Sequence, residues 1–371
     1  MFWQQVTARL AALVVSATVM DAGASDTAAR IDRFFAALPP QAGASVAIID
    51  ADGRRDFHHA GERYAGPPLD GHAVFEIGSV TKTFTAGLVA GAVAAGLLDP
   101  DATLDRYLPL QRAPAGREPV RLRHLVTHSA GLDPAPLSFL LPWLRALVQD
   151  RGNPYGFVTL EHYLSYLDGA EAEGTPGERW AYDNAGYGLL GTILERTEGM
   201  PWAALVRARL LQPLGMDETF VDLAADDPRL VPGVNARGRR AARWRMPFMA
   251  PAGGLLSTLD DMERWVRAQL SPPAALSFLV DTHEVTALET AIPGHRMTRG
   301  WIAAPDGWLW HNGGTGGYHV FVGVDPERDR GVVVLTNLSQ AHPSNATEDG
   351  GSRVNRLGFA LMAPGEAGAE D

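Results

Sequence analysis

The sequence predicts an α+β fold, with an antiparallel sheet built from both chain ends and flanked by helices, and a mostly helical lobe between those ends. Short β-branched runs separated by turn pairs occur before residue 61 and after residue 300. The intervening stretch reads instead as helical pieces broken by proline and glycine. Strands at both termini around a helical block imply one sheet assembled from both ends.

Thr27 to Leu38 has helical spacing in Ile31, Phe34, Phe35 and Leu38, and Pro39-Pro40 ends it. Ala44 to Asp50 is an apolar, β-branched run closed by Asp52-Gly53 and followed by Arg54 to Ala60, a hairpin pattern. Phe75 to Gly96 is a helix start carrying Ser79, continued by an Ala-rich run. Leu104 to Leu110 and Arg121 to Val126 frame a proline-containing connection, closed by the turn-rich Thr127 to Leu132. From Asp133 to Arg179 come helical pieces, among them the apolar Leu137 to Val148, which reads as a lid or a packed helix. Glu178 to Gly191 leads into a helix through Glu195, and residues 201–215 form a further one ending at Gly215. Pro251 to Thr258 reads as a glycine turn before an amphipathic helix, Leu259 to Leu270, with Met262, Trp265, Val266 and Leu270 inward. Gly300 to Ala304, Trp308 to Asn312, Tyr318 to Val324 and Gly331 to Asn337 then form a meander, and a helix near Arg353 to Met362 closes the fold.

A net charge of −11 argues against a nucleic-acid partner, since phosphate neutralisation needs a basic face. The cluster Arg237, Arg239, Arg240, Arg243 and Arg245 sits near prolines and reads as a solvated loop. The chain contains no cysteine, which excludes disulfides, thiol nucleophiles, zinc-thiolate sites and a lipoprotein anchor. Arg9, the apolar run Leu10 to Met20 and Ala22-Gly23-Ala24 read as an export signal over residues 1–24, too short for a permanent span. An exported, periplasmic or secreted protein is expected, with one domain over 25–362, a helical lobe inserted at roughly 100–250, and a polar tail at 363–371. An uncleaved anchor or a misassigned start is the alternative at the N-terminus.

Three constellations carry chemistry. Ser79 and Lys82 are three residues apart, so a helix places the amine against the hydroxyl. Lys82 is the only lysine among 32 basic residues. A guanidinium stays protonated, whereas a desolvated amine can give up its proton. Tyr182 and Asn184, two apart after a Pro-Gly turn, supply a phenol that can relay a proton and an amide that can bind a carbonyl or hold the lysine. The third is His311-Asn312-Gly313-Gly314 at a strand edge, where glycines admit a substrate backbone. The Gly314 and Ser79 amides would together form an oxyanion hole. A G-x-S-x-G elbow, a helical H-E-x-x-H pair and a phosphate loop are all absent.

Ser79-Val80-Thr81-Lys82, Tyr182-Asp183-Asn184 and His311-Asn312-Gly313 resemble the S-x-x-K, Y-x-N and K/H-x-G motifs of the penicillin-recognising serine hydrolases. The branch they look most like is that of class C β-lactamases, D-Ala-D-Ala carboxypeptidases and esterases. Leu125 to Leu132 and Ala252 to Thr258 are similar to the same family, over roughly residues 30–362. The resemblance implies that Ser79 forms an acyl-enzyme and that Lys82 and Tyr182 share general base and acid work. It implies that Asn184 contacts the substrate amide, that His311, Gly313 and Gly314 line the third wall, and that no metal or organic cofactor takes part. The substrate would be a small molecule or peptide, with a β-lactam or D-amino-acid amide expected first. A neutral ester, hydrolysed or transferred, is the alternative, because His311 stands where class C enzymes usually have lysine and because Asp183 would repel an anion if it faced inward. An inactive relative that binds peptidoglycan or a partner is a third reading, and the oligomeric state is left open.

Overall fold

A computed structural model describes residues 26–363 apart from residue 151. The expected export signal lies outside these residues, as does all of the polar tail after residue 363.

The N-terminal helix α1 (residues 26–36) leads into the hairpin β1 (Gly43–Asp50) and β2 (Gly53–Ala60). A two-residue strand, β3 (Phe75–Glu76), precedes a 3₁₀ turn at Gly78–Val80 and helix α2 (Thr81–Ala94). The helical lobe follows, comprising α3 (Leu122–Val126), α4 (Leu140–Gln149), α5 (Leu160–Leu167), α6 (Asn184–Glu198), α7 (Trp202–Val206) and α8 (Gln212–Leu214). The chain returns through α9 (Ala250–Gly253), β4 (Leu256–Ser257) and α10 (Leu259–Leu270). It then runs through β5 (Arg296–Met297), β6 (Ile302–Ala303), β7 (Leu309–Gly314), β8 (His319–Asp325), β9 (Arg330–Thr336) and α11 (Arg353–Met362).

The sheet order is β2-β1-β9-β8-β7-β6-β5, with every neighbour antiparallel. The first and last strands of the sequence thus meet where β1 pairs with β9, in the register Val46↔Val334. Both faces of the central strands are buried, so these strands read as continuous apolar runs. Period-2 alternation divides them between two cores. Val46, Ile48, Val332 and Val334 pack with Ile31, Phe34, Val354 and Leu357 from α1 and α11. Ala47, Ile49, Val333 and Leu335 face a second core that includes α2, α6 and α10. β2 is the charged, half-exposed edge, a pattern that discourages pairing with another chain.

Two expectations change. Residues 255–258 are not simply a turn, because Leu256 pairs with Glu76 and Ser257 with Phe75 to make a short ribbon under Ser79. β5 was also not expected, since Arg296–Met297 is too short for periodicity to show. In the lid-or-helix segment, α4 buries Pro142 and Ala146 and leaves Leu140, Leu141, Leu144 and Val148 exposed, as is Leu137 in the 3₁₀ turn before it, so only part of the segment's apolar content is packed. Of the arginine cluster, Arg237, Arg239, Arg240 and Arg245 are solvent-exposed as expected. Arg243 is not: it turns inward toward Asp222 and the carbonyl of Leu223.

α10 joins the sheet to the serine-bearing helix. Met262, Trp265 and Val266 are fully buried and Leu270 is half-buried, as its periodicity requires. Trp265 stacks on Phe84 of α2 at 3.9 Å between ring centroids and donates its indole N–H to Thr83 at 3.0 Å. Trp265→Ala should therefore lower the unfolding free energy by about 3–5 kcal/mol, read as a reduced urea midpoint at unchanged slope.

Candidate active site

The site forms where the 3₁₀ turn at Gly78–Val80, the start of α6 and the end of β7 converge. Gly78 has φ of +48°, a left-handed conformation that favours glycine, and it turns the chain from β3 into the serine turn. The Gly313–Gly314 backbone lies against that turn. A methyl group on Gly313 would overlap the carbonyl of Ile77 and sit 2.9 Å from Ser79 N. One on Gly78 would sit 2.8 Å from Gly314 N. Side chains on either glycine would push the two strands of backbone apart. The expected pair of amides, Ser79 and Gly314, is thus brought to one place.

Lys82 is completely buried. Its Nζ lies 2.7 Å from Asn184 Oδ1, 2.7 Å from the carbonyl of Ala252 and 3.2 Å from Ser79 Oγ. Tyr182 Oη lies 2.7 Å from Ser79 Oγ on the other side. Burial drives the lysine well below its ordinary value, opposed by the negative charge of Asp183. Tyr182 is 36% exposed overall, but desolvation of its hydroxyl end against Ser79 raises the phenol, which keeps its proton. These protonation states give a consistent donor chain. Asn184 Oδ1 and Ala252 O can only accept, so each takes one N–H of the amine. The third position of the amine points at Ser79 Oγ, as an N–H donor when protonated and as a lone pair when the proton is lost, and Ser79 Oγ also accepts from Tyr182. The arrangement can withdraw a proton from Ser79 and return one through a phenol.

The structure brings together all the residues expected from the sequence, with altered duties for three. Asn184 opens α6, and its amide is spent inside the site, because its Nδ2 donates to Tyr155 Oη at 3.2 Å. Asp183 does not face the cleft. It is 5% exposed, it caps α6 by accepting from Ala185 N at 2.8 Å, and burial raises its carboxyl to about 6. His311 is 2% exposed, and its Nδ1 lies 2.6 Å from the carbonyl of Asn312. That carbonyl requires a donor, so Nδ1 carries the proton. Burial lowers the ring to about 3, which leaves it neutral with Nε2 as an acceptor.

Several residues were not singled out by the sequence reading. Tyr155, Trp244, Met246 and Met249 line a pocket of about 120 Å³ that also holds Ser79, Asn184 and Gly314. Ala252 O, Pro251 O and Leu255 N lace this segment to Lys82, Thr85 and Thr81 of α2. His128 accepts from the backbone N–H of Asp183 through Nδ1 at 3.1 Å and packs on Tyr182 at 4.5 Å between rings. The phrases Leu125 to Leu132 and Ala252 to Thr258 contain three of these supports, His128, Ala252 and Leu255. Tyr155 and Trp244 stand in irregular loops, where no periodicity marks them.

The family model described as Beta-lactamase matches residues 31–352, and the chain belongs to that family. It is a serine hydrolase of the β-lactamase or D-Ala-D-Ala peptidase type. A D-alanyl-D-alanine-carboxypeptidase/endopeptidase AmpH of Escherichia coli is 26% identical over 80% of each chain. Esterase EstB of Burkholderia gladioli is 34% identical over 54% of this chain and 53% of its own. A solved β-lactamase/D-alanine carboxypeptidase of Pseudomonas syringae superposes with a TM-score of 0.74 at 21% identity, covering 94% of this chain and all of the other, a likeness of fold.

The raised carboxyl of Asp183 has a signed consequence. Unfolded, an aspartate loses its proton near 3.9. Folded, Asp183 keeps its proton up to about 6, so the folded state binds more protons in that window and stability falls as pH rises through it. An asparagine caps a helix equally well and does not titrate. Asp183→Asn should therefore gain on the wild type by on the order of 2–3 kcal/mol between pH 4 and pH 7, read from paired urea titrations.

Proposed function

We propose that the chain hydrolyses esters or amides through an acyl-enzyme on Ser79, with substrates lacking a carboxylate at the third wall preferred. The observation that carries this reading is the buried Lys82, whose Nζ is fixed 3.2 Å from Ser79 Oγ by two acceptor-only partners, so that an amine losing its proton there turns its lone pair toward the serine. In acylation Ser79 Oγ attacks the substrate carbonyl carbon and its proton passes to Lys82 Nζ. The resulting oxyanion is held by the Ser79 and Gly314 amides. The C–O or C–N bond then breaks, and the leaving group takes a proton relayed through Tyr182. Water attacks the acyl carbon, gives a proton back through the same pair, and releases the acid with the serine hydroxyl restored.

The substrate preference rests on His311. A neutral ring has no positive charge with which to pair a substrate carboxylate. Among the described residues lining the Ser79 pocket there is no arginine. The relative named an esterase supports the same direction, and the relatives named carboxypeptidase and β-lactamase support the acyl-enzyme chemistry. We place the protein outside the cytoplasm on the strength of the Leu10 to Met20 run and Ala22-Gly23-Ala24.

Mature protein mixed with p-nitrophenyl acetate should turn over, and Ser79→Ala should abolish turnover. A wild type as inactive as Ser79→Ala would overturn the reading. Time-resolved intact mass with a penicillin should show at most slow labelling, whereas fast Ser79-dependent acylation and clearance would reverse the substrate preference. Lys82→Arg keeps the charge but cannot accept the proton. Its kcat/KM should fall by about 10²–10⁴, and near-normal turnover would refute the base role.

A further inference from the structure

Behind the Ser79 pocket opens a second, larger cavity of about 520 Å³. Its floor is one face of α6, formed by Gly188, Gly191 and Thr192, and Leu160, Trp202 and Phe248 wall it. Trp244 and Met246 line both cavities, so they form the partition between them. Ligand pockets typically run from about 300 to 1,000 Å³. The 120 Å³ at Ser79 is well short of that range, and the adjoining groove lies inside it.

The two partition residues are held differently. Trp244 is pinned by its indole N–H to the carbonyl of Gly152 at 2.6 Å and by its backbone N–H to Glu76 at 3.0 Å. Met246 is an unbranched thioether whose rotamers interchange at little cost. It is the movable part of the wall.

The charged groups on the groove, Glu195, Asp222, Arg243 and Arg245, balance to zero. Glu195 accepts from Trp202 N at 2.8 Å, and Arg243 lies 3.6 Å from Asp222. The groove therefore suits a neutral occupant.

We propose that this groove receives the distal, apolar end of an acyl group whose carbonyl is attached at Ser79, entering past Met246. The ligand class is a neutral medium-chain acyl ester. This rests on the acyl-enzyme reading above and adds the size and polarity of the acyl group.

The test compares p-nitrophenyl acetate, butyrate and octanoate on the wild type and on Leu160→Trp, which fills the groove. The octanoate to acetate ratio of kcat/KM should exceed ten in the wild type and fall at least tenfold in the variant. Ala203→Trp, at an exposed position on the mouth, takes its place if Leu160→Trp does not fold. A flat chain-length series, or a preference that survives the filled groove, overturns the proposal while leaving the hydrolase intact. If no ester is turned over, the acyl-enzyme reading fails, and tryptophan fluorescence with octanamide decides the groove. Saturable quenching lost in the filled variant supports it, and absence of quenching overturns it.

Discussion

The burial of one amine organises this protein. Lys82 sits with no solvent contact, between an amide oxygen on α6 and a backbone carbonyl in α9. A charged ammonium there is disfavoured, and the two acceptors fix where the remaining lone pair points. Each partner comes from a different part of the chain, so the amine is held correctly only when the sheet, α2, α6 and the 250–257 segment are all in place. Thr81 and Thr85, flanking Lys82 on α2, bond to that segment too. The site and the packing of the two cores are accordingly one structure.

Around the amine, charges are removed from the cleft. Asp183 turns away to cap α6, His311 is neutral, and His128 gives its acceptor nitrogen to a backbone N–H. Glu76, buried beside the serine turn, is raised to about 7 by desolvation and accepts from Trp244 N. This polarity is the basis of the proposed preference for the neutral carbonyl of an ester over an anionic ligand. The large groove beyond Trp244 and Met246 extends the same character outward.

Much of this was legible in the residues. The hairpin at β1 and β2, the meander from β6 to β9, and α10 and α11 were marked by periodicity and turn pairs, because each is a local pattern strengthened by burial on defined faces. The ribbon between β3 and β4 was not. Two-residue strands carry no period, and Leu256 pairs with Glu76 only because the helical lobe between them folds back. Asp183 was read by its charge as a possible cleft residue, but its place just before α6 gave the carboxylate a helix end to cap.

The sequence by itself determined the class of chemistry: a lone lysine three residues after a serine, a phenol and amide two apart, and glycines at a strand end. These are short-range relations that a helix or strand converts directly into geometry. Only the tertiary structure decided protonation and substrate space. Whether Lys82 and His311 are neutral depends on burial by segments far away in sequence. The groove exists only because α5, α6, α7 and the 243–251 loop leave volume between them. Desolvation and cavity shape are sums over distant contacts, and no local pattern of residues encodes them.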